Sequence, residues 1–219
     1  MSADGRTTLW SFVTLPSGWL PVVVACGSAA ALVGLAATWV GLAVAGVSPG
    51  DSEVARWMVG GPISAVEGTV WFLFDAHWVQ TRTGSGPSNL VVYGHPLIQA
   101  DAALWPLRGV PLITGLGGAA AVRYLEVAEE LNGLVAGAAT ALGYLPAMLA
   151  LRAVSRVPLT RHAAGGVAPI SDADGVPVSA VSGVAAGPDL AAALAFVTAL
   201  SLTLGGAAGA LAAAVGSSE

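Results

Sequence analysis

The chain has 219 residues, of which 55% are hydrophobic and only 10% are charged, and its mean hydropathy is +0.77. Soluble domains carry about 25% charged residues, and no charged residue occurs here between Thr7 and Gly50, so the composition excludes an alanine-rich soluble bundle. Thirteen acidic residues against eight arginines and no lysine give a net charge of −5, which argues against a nucleic-acid partner.

The first long apolar run predicts a membrane-spanning helix over 19–47, because such a helix needs about 20 apolar positions. A cleaved signal peptide is the alternative, but its apolar region is only about 7–15 residues long. Trp10 and Trp19 are typical of the headgroup level. The lone Cys26 lies in this run and excludes an intramolecular disulfide.

Four further helices are predicted, over 53–79, 105–122, 131–151 and 188–215. Ser52 caps the second helix, which is expected to bend at Pro62 and continue. The segment 81–101 is a loop whose turn signals allow a small hairpin, and 161–187 is a polar loop. The fold class predicted is therefore all-α, a single polytopic bundle of about five transmembrane helices.

Arginine placement predicts an orientation. With five spans, Arg6, Arg82, Arg108, Arg152, Arg156 and Arg161 fall on the side of the N-terminus, and only Arg56 and Arg123 fall opposite. The positive-inside rule then predicts a cytoplasmic N-terminus in the cell membrane. Acidic loops and the missing lysine are typical of an extreme halophile.

Small residues predict where the helices pack. In the first helix a seam of period 3.5 runs through Gly27, Ala31, Gly34, Thr38, Gly41 and Ala45. Gly133/Gly137 and Gly205/Gly209 are GxxxG pairs, which allow close helix approach in membranes. Since small residues are abundant throughout, these patterns favour a compact bundle and do not specify a dimer.

The chemistry is concentrated in 66–80. On a helix one aromatic face would carry Glu67, Trp71, Phe74 and Trp78, at i, i+4, i+7 and i+11. Asp75 and His77 lie about 80° to either side of Glu67. They are therefore about 160° apart and cannot pair while this stretch is helical.

Glu67 is expected near the middle of the bilayer, where an ionised acid costs several kcal/mol. Its functional interpretation is a proton- or cation-coupling site, and its structural interpretation is an interhelical hydrogen bond or a shallow, tilted helix. Arg108 and Arg123 are the nearest candidate partners. Asp75 and His77 are consistent either with a structural cluster at the membrane interface or with an ionisable functional site. No ligand spacing among His77, His95 and His162 supports a metal, and we expect no cofactor.

Three short motifs resemble a family of small, uncharacterised haloarchaeal multi-pass membrane proteins, sometimes labelled transporter-like. The motifs are Ala76-His77-Trp78-Val79, the 136–146 segment AGAATALGYLP, and Gly187-Pro188-Asp189-Leu190 with the 205–209 glycine cluster. Asp75 stands where the family pattern has Asn, which puts a family role for that position in doubt. The resemblance implies a membrane bundle and no established activity.

Two functions are consistent with these residues. The first is a non-catalytic membrane component that packs against lipid, other membrane subunits or a second copy. The second is a small carrier or channel using Glu67 and Asp75, which the absence of an evident repeat weakens. An enzyme is not predicted, since no nucleophile–base set is present.

Overall fold

The computed structural model describes residues 13–52, 56, 58–83, 97–164, 167–168, 176–177 and 182–217. Six helices organise them: α1 Trp19–Val44, α2 Ala65–Ala76, α3 Leu112–Tyr124, α4 Glu130–Ala139, α5 Ala141–Val154 and α6 Leu190–Gly216. Short 3-10 helices cover Pro49–Asp51, Ile98–Ala100 and Ala102–Gly109. The helix α6 contains one π-helical turn, Ala193–Val197, before it continues as an α-helix.

Among the residues that the structure describes, three helical segments are long and apolar enough to cross a membrane: Trp19–Val44, Glu130–Val154 (α4 with α5) and Leu190–Gly216. The prediction of a mostly helical chain with helices of this length and apolarity is therefore confirmed. The number of five spans is too high, because two of the predicted spans are shorter than expected.

The predicted span 53–79 is wrong. The helix α2 begins only at Ala65 and has 12 residues, about 18 Å at 1.5 Å per residue, whereas a bilayer core is about 30 Å thick. Ser64 is its N-cap, and Pro62 lies just before that cap, so the chain starts a new helix here instead of bending an old one. Residues 53–55 and 57 lie outside the described residues.

The predicted span 105–122 is also divided. The chain forms a 3-10 helix over Ala102–Gly109, with Pro106 inside it, before α3 begins at Leu112. Asp101 caps the 3-10 helix by accepting a hydrogen bond from the Ala103 backbone N–H at 2.8 Å. The helix α3 then has 13 residues.

The helix α1 ends in a glycine turn. Gly46 adopts φ +70°, a left-handed conformation in which a residue with a side chain would be strained. Its backbone N–H donates to Ala43 and the N–H of Val47 donates to Leu42, which closes the last carbonyls of the helix in a Schellman motif. The 3-10 helix Pro49–Asp51 follows directly and packs on α2, where a side chain at Gly68 would collide with the Pro49 backbone.

Two small antiparallel sheets add to the helices. Strand β5 (Ala185–Pro188) lies between β1 (Thr81–Thr83) and β2 (Val157–Pro158), and β3 (Val167–Ala168) pairs with β4 (Val176–Pro177). The predicted loop 161–187 thus contains strands. In the predicted hairpin segment, 84–96 lie outside the described residues, and Thr81–Thr83 pairs with β5.

The chain forms two compact units. The first comprises Met1–Ala30, Leu112–Leu145 and Leu200–Glu219, and the second comprises Ala31–Pro111 and Pro146–Ala199. In the first unit α4 runs antiparallel to α6, since Gly133 approaches Gly209 while Gly137 approaches Gly205. The second unit contains α2, whose residues from Glu67 to Ala76 are all buried.

Candidate functional site

A capping box starts the helix that carries the candidate chemistry. The Ser64 side chain accepts a hydrogen bond from the Glu67 backbone N–H at 3.2 Å, and the Glu67 carboxylate accepts one from the Ser64 backbone N–H at 2.8 Å. This reciprocal pair satisfies two N–H groups that a helix start leaves without partners. Glu67 is therefore the third residue of a helix, not a residue in the middle of a span.

The Glu67 carboxylate is also paired with Arg161. Two parallel bonds of 2.6 and 2.7 Å join the Arg161 Nη atoms to the two carboxylate oxygens. This bidentate contact, together with the Ser64 bonds, holds the pKa of Glu67 below its usual value against the effect of burial. Arg108 and Arg123 were predicted as partners of Glu67, but the observed partner is Arg161, which is 94 positions away along the chain.

Asp75 is held at the other end of α2 by different partners. Its Oδ2 accepts a hydrogen bond from the Ile98 backbone N–H at 2.8 Å and lies 3.4 Å from Nη2 of Arg108, whose other amino group donates to the Asp75 carbonyl. The side chain of Asp75 is 1% exposed. Arg108 also lies over the Trp78 ring, 4.1 Å from its centroid, in a cation–π contact.

His77 is fully buried and is positioned by α2 itself. Its Nδ1 lies 2.8 Å from the Leu73 carbonyl, so Nδ1 carries the proton of the neutral ring and donates it. Burial lowers the pKa of His77 to about 4. The ring nitrogen Nδ1 of His77 is thus engaged by Leu73, whereas the Asp75 carboxylate is engaged by Ile98 and Arg108.

The predicted aromatic face is divided. Trp71 and Phe74 are buried, and the Trp71 indole N–H donates to the Ser155 carbonyl at 2.8 Å. Trp78 is 53% exposed because α2 ends at Ala76 and Trp78 adopts φ +64°, which turns it away from the helical face. The predicted face therefore ends one helical turn early.

The histidines do not converge in the described part of the chain. His162 Nε2 lies 2.9 Å from the Pro62 carbonyl, and His95 lies outside the described residues. Among the residues that the structure describes, no group of three His, Cys, Asp or Glu side chains could hold a metal ion.

The glycines named from the sequence lie at close helix contacts. In the first unit, side chains at Gly133, Gly137, Gly205 or Gly209 would collide with the facing backbone of α4 or α6. The two GxxxG pairs thus pack against each other within one chain. Three glycines of α1 are also in close contacts or buried. Gly27 faces the Thr140 backbone in the first unit, and Gly41 faces Leu107 in the second. Gly34 is buried.

Taken together, the ionisable groups of α2 tie that helix to distant parts of the second unit. Both carboxylates of α2 are engaged by an arginine and by a backbone N–H group, so neither carboxylate is arranged as a general base facing a substrate. No protein-family model, no curated protein and no solved structure matches this chain.

Proposed function

We propose that this protein is a non-catalytic, multi-pass component of a cytoplasmic membrane that packs against lipid and against other membrane subunits or a second copy. The observation that carries the proposal is that the Glu67 carboxylate is fully engaged by other groups of the protein. Glu67 is the acidic residue that the sequence predicted deep in a span. Its carboxylate is bound on both oxygens by Arg161 and capped by Ser64. The resemblance to haloarchaeal multi-pass proteins remains part of the proposal.

The alternative, a carrier or channel that uses Glu67 and Asp75, needs those carboxylates to border a water-filled path. The geometry opposes it. Glu67 is 7% exposed and Asp75 is 1% exposed, and each is an acceptor for an arginine and a backbone N–H. Protonating either carboxylate would leave an arginine without its counter-ion, which is unfavourable for a buried or partly buried pair.

A flux assay separates the two functions. Liposomes containing an entrapped pH-sensitive dye would carry the parent protein, the Glu67→Gln variant or the control Asp51→Asn, which removes an exposed acid instead. The proposal predicts proton flux equal to that of protein-free liposomes in all three. Flux in the parent that Glu67→Gln abolishes and Asp51→Asn preserves would overturn it.

The number of passes is four in this proposal. In the first unit α3 lies beside the spanning helix α6 and parallel to it, with Gly115 near Ala208 and Gly216 near Arg123. Because α4 then returns antiparallel to both, α3 would be part of a fourth crossing. Four crossings place the two termini on the same side of the membrane.

The orientation follows from the same count. Segments 45–111 and 155–189 then share a side with the end of α5 and carry five arginines. Arg152, in the last turn of α5, makes six on that side, against Arg6 and Arg123 on the side of the termini. The positive-inside rule now puts both termini outside the cell. This reverses the orientation predicted from five spans, which depended on a second spanning helix.

Cysteine labelling tests this topology. In a Cys26→Ala background, single cysteines at Ser2 and Ser218 would be exposed to a membrane-impermeant maleimide on intact cells. We expect both to be labelled without permeabilisation. Labelling of only one of them would refute the four-pass arrangement, and protection of both would refute the orientation.

A further inference from the structure

A cavity of about 430 Å³ lies within the second unit, beside β5 and the first turns of α6. Three arginines line it: Arg82, Arg152 and Arg156. The remaining wall is formed by Ala185, residues 187–191 and Leu194. The spacing of these arginines along the chain does not show that they converge.

Positive charge in this cavity exceeds negative charge. Among the described residues that line the cavity, Asp189 is the only one with a carboxylate, and it is already engaged twice. Its Oδ1 accepts from the Ala192 backbone N–H at 2.7 Å, and its Oδ2 lies 3.4 Å from Nη1 of Arg82. It therefore balances at most one of the three guanidinium groups. The other two, on Arg152 and Arg156, have no carboxylate of their own among the lining residues that the structure describes.

The free donors point to an anion with several oxygen atoms. Arg152 uses its Nε on the Pro188 carbonyl at 2.8 Å, which fixes its guanidinium at the cavity wall. Arg156 is exposed and makes no hydrogen bond or ion pair with any residue that the structure describes. Guanidinium groups bind phosphate through paired N–H donors, and a cluster of them is a typical phosphate site.

The cavity lies where two membrane-spanning segments end. The segment Glu130–Val154 ends beside Arg156, and Leu190–Gly216 begins within the cavity wall. Leu190 and Leu194 are 46% and 43% exposed. A span boundary is the depth at which lipid phosphates lie, and the adjoining exposed leucines provide an apolar surface for acyl chains.

We propose that this cavity binds the phosphate of an anionic glycerophospholipid, with Arg152 and Arg156 as its principal donors and the acyl chains along Leu190 and Leu194. This inference rests on the proposed function, because it presumes that α6 is embedded in a bilayer. The inference adds a defined lipid contact to that function. A free phosphate ion could use the same donors but would gain nothing from the leucines.

The test measures lipid binding by the detergent-purified full-length protein. Calorimetric titrations would compare dihexanoyl-phosphatidylglycerol, dihexanoyl-phosphatidylcholine and sodium phosphate, each lipid below its micelle concentration. We expect phosphatidylglycerol to bind most tightly and Arg156→Gln to weaken it about tenfold, the equivalent of about 1.4 kcal/mol. Because Arg156 is exposed, this variant should unfold at the temperature of the parent, and Arg56→Gln is the control that removes the same charge outside the cavity.

Two results would overturn the inference. One is equal binding of both lipids with no loss in Arg156→Gln. The other is inorganic phosphate binding as tightly as phosphatidylglycerol with the same loss in the variant, which would assign the cavity to a free anion. Neither result bears on the liposome flux assay, so a failure of this site is distinguishable from a failure of the proposed function.

Discussion

The ion pair between Glu67 and Arg161 gives the sharpest test of the structural role assigned to α2. The two bonds are 2.6 and 2.7 Å long, and the side chains are 10% and 35% exposed. Removing one partner of a fully buried pair costs about 3–5 kcal/mol, and exposed pairs contribute about 0–1 kcal/mol. Since Arg161 is partly hydrated, we expect Arg161→Gln to lower the free energy of unfolding by about 2 kcal/mol.

The double variant separates the pair from its surroundings. Glu67→Gln should cost somewhat less than Arg161→Gln, because its amide oxygen can still accept from the Ser64 backbone N–H. The two changes together should cost less than their sum, with a coupling energy of about 1–2 kcal/mol. Reversible SDS titration of the purified protein, followed by far-UV circular dichroism, would measure each value.

A second ion pair provides the control. Arg56 and Asp51 are 2.7 Å apart, but their side chains are 61% and 48% exposed, so their coupling should be clearly smaller. A coupling energy for Glu67–Arg161 no larger than that of the exposed pair would refute the reasoning. The pH dependence offers a check, because the pKa of folded Glu67 lies below its usual 4.5. The contribution of the ion pair to the free energy of unfolding is therefore fully present above pH 4.5, and it is lost as the pH falls through the pKa of the folded state.

Three further changes test the described contacts. Because the pKa of folded His77 is about 4 against 6.5 for a free imidazole, stability should fall by about 3 kcal/mol between those pH values as the unfolded state takes up a proton, and His77→Gln should flatten the profile measured by SDS titration. Asp75→Asn should cost about 2–3 kcal/mol in the same titration, since it leaves Arg108 with a 14% exposed, unbalanced charge; a neutral result would contradict that. Gly137→Ala should cost about 1–3 kcal/mol because its new methyl group meets the α6 backbone, whereas Gly109→Ala, in open space, should leave the melting temperature unchanged.

Local patterns in the sequence predicted the elements that depend on local physics. The spans near 19–47, 131–151 and 188–215 were identified because uninterrupted apolar runs can satisfy their backbone only as helices in a bilayer. Helical periodicity also predicted that Asp75 and His77 lie on different faces of a helix. In the structure Asp75 Oδ2 accepts from the Ile98 backbone N–H, and His77 Nδ1 lies against the Leu73 carbonyl.

The true start of α2 has a local signal in the sequence. Ser64-Ala-Val-Glu67 is a capping-box sequence, and it follows Pro62. Together these residues mark the start of a helix. A bend at Pro62 would instead make the helix three turns longer. It would then be long enough to span the membrane, with Glu67 in the middle of the bilayer.

The sequence by itself determined that this protein belongs in a membrane, where its apolar helices lie, and which few side chains could carry charge within it. Only the tertiary structure decided what those charges do. Arg161 reaches Glu67 across 94 residues, and Arg108 reaches Asp75 across 33. Pairings at such separations depend on how the chain folds back, which no local pattern encodes, and they convert the costly acids of α2 into fixed attachments of that helix.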